Sequence, residues 1–230
     1  MNKVVTVLLS SLIALLAACT HDAYDTGDGG LSYMRADFVE AETDASSTIA
    51  AVLTDDGERL MLTKRVKTEW ASKPDTAYRA LLYYNKVETD GASFMAEPIA
   101  MSRVLTPRIM PVEDFKGGMK TAPVMFVSSW KSAGNRFINF DLKIKTASLD
   151  GEGKGHTIGM ACEKVEQKAD GGHVINLRLY HDRADIPEYY SSQLYLSIPS
   201  SFLPLSPASG DEVVVRMATY DGERECRFRF

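Results

Sequence analysis

An all-β fold is predicted for this chain: a small OB-like barrel followed by an antiparallel β-sandwich, preceded by an N-terminal signal peptide. Three observations lead there. Apolar and polar residues alternate with period two in segment after segment, most clearly over 135–145, where Ile138, Phe140, Leu142 and Ile144 interleave with Asn139, Asp141, Lys143 and Lys145. Short clusters of Gly, Asp, Pro and Ser separate these segments, as turns between strands require. The one long apolar run, 4–18, stands at the very start and is too short to cross a membrane as a helix.

Fifteen residues make a helix of about 22 Å, against a hydrocarbon core of about 30 Å. Lys3 supplies a cationic start, and Leu16-Ala17-Ala18-Cys19 closes the run with compact side chains before a cysteine. The pattern resembles a bacterial lipoprotein signal, with cleavage between Ala18 and Cys19 and lipidation of Cys19. Residues 1–18 are then the signal peptide. Residues 19–30 (CTHDAYDTGDGG) are the lipidated cysteine and an acidic tether, too polar to build a core. Several acyl chains on Cys19 would hold the protein at a membrane where one chain would not. The expected location is the cell envelope, at the outer membrane. The acidic stretch after the cysteine also resembles an export signal for surface display.

Composition narrows the partners. The chain has 230 residues, 45% of them hydrophobic, which suits globular structure. Lys3 is the only charged residue of 1–18, so cleavage leaves 26 − 1 = 25 basic against 31 acidic residues, a net charge of −6. Such a balance lacks the cationic surface that phosphate backbones demand, and nucleic acid is excluded as a partner. With Cys19 committed to lipid, Cys162 and Cys226 remain. They stand as a candidate disulfide or as two buried thiols.

The first β domain is expected over 31–110. Strands are predicted at 33–43, 48–53, 59–63, 78–88 and 93–105, the last broken at Pro98, and five short strands suit an OB-like barrel. Between the second and third, Thr54-Asp55-Asp56-Gly57-Glu58 reads as a hairpin turn, because Gly accepts positive φ and Asp bonds its own backbone. An EF-hand would need further oxygen ligands at fixed spacing, and they are missing. Trp70, Tyr83 and Tyr84 are expected to fill the core or edge of the barrel.

The second domain, 111–230, begins within a segment punctuated by Pro107, Pro111, Gly117 and Gly118. Alternation turns Ile175, Leu177 and Leu179 inward, then Val213, Val215 and Met217, and finally Cys226, Phe228 and Phe230. Strands near 123–131, 156–166 and 193–199 bring the count to about seven, the number of a two-sheet antiparallel sandwich.

No GxSxG, HExxH, CxxC, P-loop or dinucleotide fingerprint occurs. The expectation is a non-enzymatic protein with no cofactor, no catalytic residues and no metal site. His156, His173 and His181, with Asp182 and Asp185 nearby, form the one cluster open to another reading, an envelope hydrolase or metal-dependent enzyme around His181. His181 continues the inward parity of Leu177 and Leu179, which favours a packed, hydrogen-bonded histidine.

Three stretches carry a family resemblance: SSWKSAGNRFINFDLKIKT, GHVINLRLYHDRADIPEYYSSQLYLSIP and GDEVVVRMATYDGERECRFRF. With DFVEAETD and LTDDGERL upstream, the chain resembles the NigD-like lipoproteins of Bacteroidota. Trp130, Asn135, Asn139, His181, Tyr195, Pro199, Gly210, Asp211, Tyr220 and Gly222 carry the likeness. The resemblance implies an OB-like N-terminal domain and a β-sandwich C-terminal domain. It also implies an association with bacteriocin loci, and so immunity as an alternative role, but it supplies no catalytic residue. Trp130 is expected between the sheets, and Asn139 on the wet face of its strand. Asn139 and His181 are therefore the surface candidates. The expected partners are the membrane, through Cys19, and an envelope protein, peptide or glycan.

Overall fold

Five strands close into a barrel in the order β1-β2-β3-β5-β4: β1 (Met34–Thr43), β2 (Ile49–Thr54), β3 (Arg59–Val66), β4 (Ala77–Thr89) and β5 (Ser93–Arg103). The computed structural model describes residues 34–89, 93–147, 155–169 and 171–230. The signal segment, Ala18, Cys19 and the acidic tether lie outside the described residues. Neighbours in the barrel run antiparallel except β3 and β5, whose short parallel pairing closes it, as in an OB-fold. The hairpin at Asp55-Asp56-Gly57 forms as expected: Gly57 takes φ +86° and its N–H donates to the Thr54 carbonyl at 3.0 Å.

Alternation on each strand sends Val39, Ile49, Val52, Leu60, Leu62 and Leu82 into the barrel. Tyr84 joins them, fully buried, and its hydroxyl donates to Asp37 at 2.8 Å. Burial, and then that hydrogen bond, push the phenol's pKa up. Trp70 packs edge-on against Tyr78. Tyr84 and Trp70 thus serve core and edge as predicted, whereas Tyr83 packs on the outer face of the barrel with Phe38, Leu81 and Val104. Pro98 does not end β5. The pairing skips from Tyr83–Ala100 to Tyr84–Pro98, so Ile99 bulges out and the proline sits at an irregularity that needs no regular ladder bond.

Eight further strands build two facing sheets. One has the order β13-β12-β10-β9-β6, from β6 (Ile109–Pro111), β9 (Thr157–Gln167), β10 (His173–Asp182), β12 (Glu212–Thr219) and β13 (Gly222–Arg229). The other has the order β11-β8-β7, from β7 (Met125–Lys131), β8 (Phe137–Thr146) and β11 (Tyr190–Pro199). Their inner faces share one core containing Ile138, Phe140, Leu142, Ile175, Leu177, Val215 and Phe228. The sequence predicts a purely antiparallel sandwich, and the structure departs from that at two strand pairs. β12 runs parallel to β10, because the chain crosses to the opposite sheet as β11 before returning, and β6 runs parallel to β9. β6 lies in the segment read as a loop between domains.

The candidate disulfide is ruled out by register. Cys162 pairs with Leu177, Leu177 with Val215, and Val215 with Cys226. Three interstrand spacings separate the sulfurs' strands, about 14 Å, while a disulfide needs Cα atoms within about 7 Å. Both are free thiols, Cys226 buried and Cys162 half-buried. Burial, with Glu113 and Glu163 nearby, raises the pKa of the Cys162 thiol and lowers its reactivity. Alkylation of the denatured protein should therefore label both cysteines without prior reduction. A mass unchanged until reductant is added would contradict this register.

Candidate binding cleft at the barrel–sandwich junction

The strand carrying Arg79 is apolar on both faces. Ala80, Leu82 and Tyr84 point into the barrel, while Leu81 on the outer face packs with Phe38, Val104 and Trp130. Arg79 shares that outer face and is covered by the three-stranded sheet, leaving its side chain 2% exposed. Its guanidinium grips Asp55 with two ion-pair contacts, both at 2.7 Å. Its Nε–H donates to Ser197 Oγ at 3.1 Å, and Nη2 donates to Asn139 Oδ1 at 3.0 Å. Asn139 completes the circuit: its Nδ2 donates to Asp55 Oδ2 at 2.9 Å, and its Oδ1 accepts from Ser197 Oγ at 2.6 Å. The Arg79 cation also lies 3.8 Å from the Phe137 ring centre and 5.4 Å from that of Phe38.

A second arginine runs the opposite way. Arg136, from the turn before β8, pairs with Glu40 of β1 and donates to the Thr54 carbonyl at 2.9 Å. Both arginines thus end on the hairpin turn at Thr54-Asp55, one from each side. The connection after β5 adds backbone bonds: Val104 N–H donates to the Arg79 carbonyl, and Leu105 bonds to Tyr195 and Ser197 of β11. Barrel and sandwich belong to a single compact unit, 33–230.

Asn139 is therefore not on a wet face. It is fully buried, because the outer face of the three-stranded sheet is half covered by the barrel. Trp130 is likewise displaced from its expected place: it meets Phe38 edge-to-face at 5.2 Å, on the outside of the sandwich, and Tyr195 meets the same ring at 5.4 Å. Asp55 does more than make a turn, since it is the carboxylate that holds Arg79. Arg79 and Ser197 were missed by the sequence reading. The available signal was an arginine amid YRALLYY, where neither face of the strand offers it water.

Above this network lies a cleft of about 520 Å³. Tyr78, Arg79 and Glu40 wall it from the barrel, and Asn135, Arg136, Phe137 and Phe202 from the sandwich. Phe202 is exposed at its rim. The floor is fixed by buried charge-assisted bonds and the rim mixes aromatic, amide, hydroxyl and ionic groups, which gives a preorganised surface for a mixed polar and apolar ligand.

The histidine cluster resolves into a pair and an outlier. His156 and His181 meet Nδ1 to Nε2 at 2.9 Å, at one end of the sandwich. His181 Nδ1 lies 2.9 Å from the Ala122 carbonyl, so it carries the proton, and His156 Nδ1–H donates to the free His181 Nε2. His181 is 1% exposed, so it too is no surface residue. Its ring centre lies 5.2 Å from that of His156, which is the hydrogen-bond length plus one ring radius on each side. The bond is thus in line, and the two nitrogens leave no wedge for a shared metal ion. Both ring nitrogens of His181 are engaged away from Asp182 and Asp185, and Asp182 pairs with Lys120 at 2.7 Å. His173 lies apart with Asp211, whose carboxylate accepts from the backbone N–H groups of His173 and Ala208 at 2.7 and 2.8 Å. Among the described residues, no three His, Cys, Asp or Glu side chains converge as a metal site.

Burial lowers the pKa of both His156 and His181 below the ordinary 6.5. As pH falls, the unfolded chain takes up protons before the folded one, so the stability this pair contributes is present above pH 6.5 and declines below it. Urea titrations across pH 5–8 should show that decline. Replacing both histidines by Gln should flatten it, and an unchanged pH dependence would refute the assignment.

The NigD-like C-terminal β-sandwich domain family matches residues 108–230, more than half of the chain. The chain belongs to the NigD-like family. The resemblance seen in the sequence is thereby confirmed. No curated protein matches the chain. Three solved structures are similar. A NigD-like immunity protein from Bacteroides caccae has a TM-score of 0.66 at 24% identity, over 85% of this chain and 96% of that one. A protein from Parabacteroides distasonis named as toxin-related scores 0.63 at 18% identity, over 86% and 93%. A protein from Bacteroides fragilis provisionally named a lipoprotein scores 0.58 at 13% identity, over 85% and 96%. At such identities the likeness establishes a shared two-part β fold. Within this NigD-like chain, five of the residues that carried the resemblance gather at the junction: Trp130, Asn139 and Tyr195 in its contacts, Asn135 and Pro199 in the cleft lining.

Proposed function

We propose that this NigD-like protein is a lipid-anchored, non-enzymatic binding module of the cell envelope, with the barrel–sandwich cleft as its ligand-contacting surface. The observation that carries the reading is the cleft itself, lined by Arg79, which buried bonds to Asp55, Asn139 and Ser197 hold in place, and rimmed by exposed Phe202. A catalytic pocket needs reactive groups free to move protons, whereas this floor commits its charges to one another. The lipoprotein signal ending at Cys19 supports the anchor, and the acidic stretch after it supports display at the outer membrane to a protein, peptide or glycan partner.

The test is a crosslinking pull-down from intact cells, comparing the native protein with Cys19→Ala. The native form is expected in the membrane fraction with a specific partner, and Cys19→Ala is expected to be released and to lose it. A native protein found in the soluble fraction would end the anchored reading. A second reading, immunity against a bacteriocin, draws on the name of the Bacteroides caccae neighbour. Under it, loss of the gene sensitises the cell to the cognate bacteriocin; unchanged sensitivity counts against it.

A further inference from the structure

The outer face of the barrel is divided. On β1, Phe38 meets the sandwich through Trp130 and Tyr195, while Met34, four residues earlier and about 13 Å away, is 49% exposed. Register carries this second region across the sheet. Met34 lies opposite Asn85, and Val87, two residues on, points to the same side. Val87 pairs with Met95, and Met95 pairs with Met61 of β3. Met61 is 45% exposed and Val87 36%, and Ile99 bulges out of β5 at 53%. Strand positions facing water ordinarily carry polar residues. Here the described residues at the far end of the barrel show an exposed row of methionine and aliphatic side chains, crossed only by Asn85 with its bond to Glu97 at 3.0 Å, the kind of patch that marks an interaction surface.

The position of this row points to its occupant. β1 begins at Met34, inside the row, and only 14 residues, 20–33, lie between Met34 and Cys19, a path of 15 Cα–Cα steps. Fully extended, that length spans about 54 Å at most, so an anchored Cys19 holds this end of the barrel near the bilayer. Arg59, two residues before Met61, pairs with Glu42 at 2.6 Å and donates to Met61 Sδ at 3.7 Å, so its charge is committed within the protein and the row meets a surface through apolar contact. Methionine side chains are flexible enough to pack against a fluid, irregular surface.

Resting on the lipid-anchored reading, we infer that the Met34–Met61–Val87–Met95 face of the barrel lies against the membrane surface, fixing how the anchored protein is oriented. The native methionines make the test. The lipidated protein in phosphatidylcholine vesicles and the Cys19→Ala protein in solution are exposed to hydrogen peroxide, and sulfoxide formation is followed by mass spectrometry. Met125 of the sandwich, 38% exposed, serves as the internal control.

Oxidation of Met34 and Met61 is expected to be several-fold slower on vesicles, with Met125 unchanged. Equal rates in the two forms overturn the inference, as does equal slowing of Met125, which would report general shielding. Protection that appears in the Cys19→Ala protein and grows with its concentration assigns the face to a second copy of the chain, and also overturns it. Failure of the native protein to float with vesicles defeats the anchored reading and this inference together. Flotation without selective protection defeats the inference alone.

Discussion

Arg79→Ala should destabilise the protein by about 3–5 kcal/mol, the range for breaking a buried ion pair by removing one partner. Three neighbours lose their donor at once. Asp55 is left as a carboxylate with only Asn139 to satisfy it, Ser197 and Asn139 keep one bond between them, and the rings of Phe38 and Phe137 face a void. In a domain of this size such a loss lowers Tm by roughly 10 °C. Asn139→Ala should cost less, about 1–3 kcal/mol, since it strands acceptors and donors but keeps the ion pair. The two effects should fall short of additive, because both residues belong to one network. Denaturant unfolding of the two single variants and the double variant checks all three statements. An Arg79→Ala protein within 1 kcal/mol of the parent would show that the ion pair is not what holds the junction.

Deleting 224–230 is the second large effect. The segment removes most of β13, and with it Cys226 and Phe228 from the shared core and the edge-to-face contact of Phe228 with Phe140 at 5.8 Å. Phe228→Ala alone should cost about 3–5 kcal/mol. The deletion also uncovers the ladder of β12, and it breaks the bonds from Gly210 N–H to the Phe230 carbonyl and from Phe230 N–H to the Asp211 carbonyl. Those losses together approach the whole stability of a typical domain, about 5–15 kcal/mol. The truncated protein should lack a cooperative thermal transition or melt far below the parent, and unchanged unfolding would refute the placement of β13.

The sandwich strands and the barrel were legible because period-two alternation and Asp-Gly turns act locally. Ile138, Phe140 and Leu142 declare a buried face whatever they pack against. The partner of the opposite face is a different matter. Asn139 and Asp141 look alike in an alternating strand, yet the barrel covers one and leaves the other half-buried at its edge. Phe137, on the same side as Asn139, was the hint that this face is only partly wet. Sheet order was equally hidden: nothing in Glu212–Thr219 reveals that it runs parallel to β10, since that depends on the route taken through β11. The His156–His181 bond is another long-range outcome, joining residues 25 apart through strand register.

Binding at the barrel–sandwich cleft is tested most directly by site-specific photocrosslinking in intact cells. A photoreactive residue replaces Phe202 at the cleft rim or, as control, Lys143 on the outer face of β8. The cleft position is expected to yield a discrete adduct that the control does not, and the adduct should be lost in Cys19→Ala. No adduct from position 202, or the same adduct from both positions, would contradict the claim.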